Sequence, residues 1–339
     1  MLPVYYSLAI GSLTHYRGKL FSYLAIVFLG LFAALRGSVG TDTVAYEDIF
    51  SLLRVPFGFP GYEPGFSLVI WFLALFIQSD EILVRIVSVI FTILLLIYVR
   101  RSNSDELFFV IAFFLPMFFF QYSMNVLRIG LASILILLAF QYYTRQKFYL
   151  WLLFSVLGVA FHFSAIFLFI LVCIMSKIFS PRHVVYMVAF FPPLIFALLL
   201  SAESILPRIF LYSEMRSPSQ FSGFSLLFVM FPILLAVLVS GLSYADRLFF
   251  VVINTFLAVA LIFLSSYSYA GLRLLNLLLL AAPISLVILK KANFLNLNPK
   301  SKICFIVAGL LGFIFNMRGF LSTAEVGDSP FIPYEFLIK

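Results

Sequence analysis

The sequence predicts an all-α polytopic integral membrane protein of about 11–12 transmembrane helices plus one re-entrant or interfacial helix, forming a single transmembrane domain over residues 1–339. Three observations predict it. The 339 residues are 64% hydrophobic and 11% charged, with mean hydropathy +1.14, too few charges to cover a soluble domain of this length. Apolar stretches of roughly 15–20 residues recur, each close to the length that crosses a bilayer core. Basic residues fall in alternate loops between those stretches. With no water in the core to satisfy the backbone, the runs are read as helices, and they are too long and too rich in Leu and Phe for barrel strands.

In chain order the expected helices are Leu20–Arg36, Ile82–Val99, Leu107–Tyr122, Leu127–Tyr143, Phe148–Phe161, Phe163–Ser176, Val184–Leu200, Phe221–Ser240, Leu248–Ser266, Arg273–Leu289 and Ile303–Met317. Met1–Leu13 is a further short span without the basic start or small-residue cleavage site of a signal peptide. The stretch Phe148–Ser176 reads either as two short helices turning at His162 or as one long tilted helix. Arg17/Lys19, Arg100/Arg101, Arg145/Lys147, Lys177/Arg182, Arg247 and Lys290/Lys291/Lys300/Lys302 share one side, which the positive-inside rule makes cytoplasmic. That parity requires Pro64–Gln78 to enter the membrane without crossing it. The external segments are then loop 37–81, which contains that helix, loop 202–220, a turn at Tyr267–Gly271 and the tail 318–339.

The net charge of +8 is explained by these loops, so nucleic acid is not an expected partner. Cys173 and Cys304 fall near cytoplasmic ends, so no external disulfide is expected. The 44 Phe residues are read as lipid-facing.

Five polar groups lie near the external side. Arg36, Gly37, Gly40, Thr41, Asp42 and Tyr46 follow an apolar helix; by themselves they read as a snorkelling Arg and a capping Asp. Glu63 precedes Pro64 and reads first as a helix cap. Gln121, Asn125 and Arg128 share a face if the backbone is helical there, and an Arg with two amides suits an anion better than a lipid headgroup alone. His162 suits a general base, although a structural histidine at a helix turn is the commoner case. Tyr269, Arg273 and Asn276 repeat the same spacing at another external helix start, and two arginines would suit a pyrophosphate. The chain has no P-loop, no HExxH and no GxSxG. Neither a metal nor any other cofactor is expected, and the energy must come from an activated substrate.

Leu35-Arg36 with Gly40-Thr41-Asp42-Thr43 and Tyr46, then Tyr62-Glu63-Pro64-Gly65-Phe66, Asn125 with Arg128-Ile129-Gly130-Leu131-Ala132, Arg145-Gln146-Lys147 and His162-Phe163-Ser164-Ala165 resemble, in this order, the EpsG family of Wzy-like polysaccharide polymerases. Ile332-Pro333-Tyr334 is similar to the family's C-terminal end. Ile129 departs from the polar residue the family commonly has after the motif Arg. The resemblance implies a GT-C-like helical glycosyltransferase in the bacterial inner (cytoplasmic) membrane, with its site on the periplasmic or exterior face. It implies transfer of a glycan from undecaprenyl pyrophosphate to a lipid-linked repeat unit of O-antigen, capsule or exopolysaccharide. The implied partners are that lipid-linked oligosaccharide, the bilayer, and a chain-length regulator and flippase of the same pathway. In that chemistry Arg128 and Arg273, then Arg36, would stabilise the leaving group. His162 or Asp42 would act as base, with Glu63 behind them. Thr41, Tyr46, Gln121, Asn125, Tyr269 and Asn276 would hold substrate, and Tyr62 and Tyr267 offer further rings for sugar faces. The rival readings are a lipid-oligosaccharide flippase, which would need polar groups through the whole depth, a membrane O-acyltransferase, a lipid-linked monosaccharide transferase, and a non-catalytic assembly partner.

Overall fold

The computed structural model describes residues 17–54, 62–178, 223–321 and 334–337. The expected spans Met1–Leu13 and Val184–Leu200, the loop 202–220, and His15 and His183 lie outside the described residues. Among the described residues all regular structure is helical: α1 Arg17–Ala34, α2 Thr43–Leu52, α3 Pro64–Ala74, α4 Asp80–Arg101, α5 Ser104–Asn125, α6 Leu127–Tyr143, α7 Phe148–Phe161, α8 Ala165–Met175, α9 Phe224–Leu238, α10 Tyr244–Ser265, α11 Tyr269–Ala292 and α12 Pro299–Leu321. Five of these, α4, α5, α10, α11 and α12, are long and apolar enough to cross a membrane.

The helices extend beyond the apolar runs because polar residues start and finish them. Ser79 caps α4 by accepting from the Ile82 amide at 3.3 Å, and the helix takes in Asp80 and Glu81 at its start and Arg100 and Arg101 at its end. Those charges complement the helix dipole. Asn103 and Glu106 form a reciprocal capping box at the start of α5. The region around His162 resolves into two helices, α7 and α8, with His162 extended between them. The 11 residues of α3 rise only about 16 Å, roughly half of a bilayer core. The sequence reading treats α2 as loop; its ten residues are too few and too mixed to stand out as an apolar run.

The chain divides into two compact units. The first comprises residues up to Ala165 together with those from Gly309 onward. Its centre is α5, where Phe108, Phe109, Phe113, Phe114, Phe118 and Phe119 are buried. These rings pack on one another and on Tyr122, which corrects the lipid-facing expectation for this group of phenylalanines. Phe28 on α1, Phe72 on α3 and Phe76 in the turn after α3 remain exposed as expected. Two π turns interrupt α5, at Val110–Phe114 and Gln121–Asn125. In the second unit, Ile166–Ala308, α10 turns Phe256, Val259 and Phe263 outward, while α11 is largely buried.

Candidate functional site

The site in the first unit grows from a salt-bridge cluster around Glu63. Glu63 occupies the N-cap position of α3, yet its side chain caps nothing. Its carboxylate turns instead to two partners: Oε2 accepts from Arg128 Nη1 at 2.6 Å, and Oε1 lies 2.6 Å from His162 Nδ1. Gly65 permits the approach that makes this possible, because a Cβ there would lie 2.9 Å from the carbonyl carbon and oxygen of Ala160. The first turn of α3 therefore lies directly against the end of α7, beside His162.

Arg128 is the second residue of α6. Its guanidinium carbon stands 5.1 Å from the centre of the Tyr62 ring, and its charge acts on the buried Tyr46 phenol. Burial alone would raise the Glu63 carboxyl, but the His162 hydrogen bond and charge, then the Arg128 charge, outweigh it and hold the group down at about 2. Glu63 is thus ionised across the physiological range, with only 3% of its surface exposed.

Gln121 and Asn125 lie close by on a different backbone path. The turn Gln121–Asn125 is π-helical, and Val126 leaves helical geometry (φ −90, ψ 64) before α6 begins. The single helical face expected for Gln121, Asn125 and Arg128 is therefore broken between the second and third residues. Asn125 Nδ2 donates to Gln121 at 3.2 Å, while its buried Oδ1 has no hydrogen-bond partner among the described residues. Gly40, at φ +109, passes so close that a Cβ would stand 2.9 Å from both Asn125 Oδ1 and Thr43 Oγ1. Thr41 donates to Asp42 at 3.2 Å, and Asp42 stands at the N-cap of α2 without capping it.

Arg36 occupies a separate buried layer and is fully inaccessible. It donates to the Ala33 carbonyl (2.6 Å), Ser88 Oγ (2.8 Å), the Ser123 and Met124 carbonyls (3.3 Å each) and Thr43 Oγ1 (3.4 Å). It does not snorkel, being wholly enclosed. It holds the π turn whose carbonyls are released from ordinary helix bonding. Sequence reasoning passes over the next member of this layer, Arg85. Its guanidinium donates to the Arg36 carbonyl (3.1 Å) and the Gly37 carbonyl (2.7 Å), and it pairs with Glu47. An ionisable residue inside an apolar helix was the available signal.

Arg273, Tyr269 and Asn276 belong to the second unit. The Arg273 guanidinium stands 5.3 Å from the Tyr269 ring centre, and Asn276 donates to the Leu272 carbonyl of its own helix at 3.1 Å. Tyr267 is exposed.

The cluster thus joins Arg128, Glu63, His162, Tyr46 and Tyr62, drawn from four separate stretches of chain. It combines a fixed cation, an imidazole and a carboxylate beside aromatic rings, a set suited to an anionic leaving group and to proton transfer. Comparison with known proteins gives a family: the EpsG family profile matches residues 19–336. No curated protein and no solved structure matches the chain.

Proposed function

The chain belongs to the EpsG family, and on that premise we propose that it polymerises a cell-surface polysaccharide, extending a glycan carried on undecaprenyl pyrophosphate at the outer face of the bacterial inner membrane. The observation that carries the reading is the bridge from Arg128 through Glu63 to His162. With Glu63 ionised, His162 Nδ1 bears the proton and donates, which makes Nε2 the basic nitrogen of the neutral ring. The acceptor hydroxyl oxygen bonds to the anomeric carbon of the donor while the bond from that carbon to the pyrophosphate oxygen breaks. The leaving lipid pyrophosphate takes the electron pair, and the hydroxyl proton passes to His162 Nε2. Developing imidazolium charge is stabilised by Glu63.

Arg128 offers five N–H donors, of which Glu63 engages one through Nη1, so the fork keeps donors for phosphate oxygens. Within the second unit, Arg273 beside Tyr269 offers a guanidinium fork of the kind that pairs with phosphate oxygens. Asp42, Thr41, Gln121 and Asn125 orient the sugars. The architecture we propose is one GT-C-like transmembrane domain working with a flippase and a chain-length regulator. The family match does not favour a flippase or an O-acyltransferase.

A glycan gel of cells lacking the gene tests the reading. Wild type restores the polymer ladder, whereas Arg128→Ala, present in the membrane at wild-type level, leaves a single-repeat band. An unchanged ladder in the deletion rejects the polymerase. Loss of even the single-repeat band moves the role upstream, to export or assembly of the unit.

A further inference from the structure

The described end of the chain, Tyr334–Leu337, returns to the C-terminus of α1. Arg36 and Phe336 form an antiparallel bridge. The Gly37 amide donates to the Glu335 carbonyl at 2.7 Å, and the Leu337 amide donates to the Leu35 carbonyl at 2.9 Å. The Tyr334 ring stacks on Phe32 with centroids 4.1 Å apart, and its hydroxyl donates to the Phe32 carbonyl at 2.5 Å. The last carbonyls of a helix have no partner within it, and in an apolar surround each must find one. Here the Phe32 and Leu35 carbonyls find theirs in a segment about 300 positions away. The Ala33 carbonyl is taken by Arg36 itself.

Two of these residues, Arg36 and Gly37, also give their carbonyls to Arg85, and the Arg36 side chain runs on to the π turn that carries Asn125. From Asn125 the chain reaches Arg128 within three residues. We infer that the C-terminal segment Tyr334–Leu337 is a fixed strap that positions the site, by pairing with the Leu35–Gly37 backbone and so setting where Arg36 holds the Gln121–Asn125 turn. Tyr334 is a positioning residue in this arrangement; it acts through Arg36. Two backbone hydrogen bonds and the stacked Tyr334 ring together hold the segment in one register.

The strap is testable by crosslinking in the full-length protein. A Cβ at position 37 would lie 3.3 Å from the Glu335 Cβ, close to the roughly 3.5–4.5 Å of a disulfide. In membranes, the pair Gly37→Cys with Glu335→Cys is expected to form an intramolecular disulfide on mild oxidation. Polymerisation by the oxidised form should stay within about twofold of the same protein after reduction, because a fixed strap has no opening step. Tyr334→Ala is expected to lower polymer formation on the order of 10- to 100-fold, the scale of a site displaced by about an ångström. Adding the oxidised cysteine pair to Tyr334→Ala should restore activity, a rescue that general loss of folding would not give. Should Tyr334→Ala fail to accumulate, Tyr334→Phe, which keeps the stacked ring and loses the hydroxyl, takes its place in the same comparison. No disulfide, full activity in the Tyr334 variant, or reversible inactivation on oxidation would each overturn the fixed strap; the last would make the segment a gate. The activity readout rests on the polymerase reading, but disulfide yield does not, so failure of the strap and failure of the Arg128 assignment are separable.

Discussion

Arg36 and Arg128 both stand where an apolar helix meets a loop, and the structure uses them in opposite ways. Arg36 is surrounded by carbonyl and hydroxyl oxygens, three of them backbone carbonyls, and is wholly enclosed. Arg128 faces a carboxylate, a phenol and a ring, and part of its side chain remains accessible. A guanidinium ringed by neutral acceptors ties chain segments together. One beside a carboxylate that also holds an imidazole joins groups able to carry charge and protons. Identical residue types in similar sequence settings are thus separated by what surrounds them, and burial leaves only Arg128 partly accessible.

The sharpest way to break this contrast is to remove each arginine in turn. Arg36→Ala leaves the Ala33, Ser123 and Met124 carbonyls without this donor, at about 1–3 kcal/mol for each that stays unpaired. The protein is expected to vanish from the membrane fraction, as judged by immunoblot. Arg128→Ala should instead accumulate normally and make no polymer. A stable, active Arg36→Ala protein would erase the distinction.

Glu63→Gln comes next. The amide keeps the shape but loses the charge that orients His162, and polymer formation should fall by roughly 100-fold with little change in protein level. Activity equal to wild type would reduce Glu63 to a packing residue. Gly65→Ala should have a smaller effect of the same kind, since the added methyl meets the Ala160 carbonyl and pushes Glu63 away from His162. A quantitative glycan assay showing no loss would mean that the close approach of α3 to α7 is dispensable.

The smallest effect is on stability against pH. The folded carboxyl of Glu63 is held at about 2, below its ordinary value of 4.5. Its contribution is complete above the ordinary value and is lost as pH falls from there towards 2. Thermal unfolding in detergent should therefore show the gap between wild type and Glu63→Gln narrowing across that range. A constant gap would place the stabilisation elsewhere.

Ser88 sharpens the other half of the comparison. It accepts from Arg36 at 2.8 Å and donates to the Ser123 carbonyl at 2.6 Å, so Ser88→Ala should cost about 1 kcal/mol of stability while leaving the Glu63 cluster intact.

The helices were legible in the sequence because hydropathy is local: an apolar run of membrane length is visible without knowing its neighbours. The residue types of the cluster were legible for a related reason, since Arg128, Glu63 and His162 are polar groups beside apolar stretches, where polarity needs a partner. The roles of Arg36 and Glu63 were not. Each matched a local pattern, a snorkelling arginine and a capping carboxylate, that its tertiary surroundings overrode. Arg85 with Glu47, and the strap with α1, escaped altogether, because antiparallel pairing and salt bridges across 38 to about 300 positions leave no periodic trace. Sequence alone thus determined a helical membrane protein and which side chains must find partners. The packing of α3 on α7, the π turn beside α6 and the return of the chain end to α1 decided which partners they found, because hydrogen bonds and ion pairs depend on distances that only the folded chain sets.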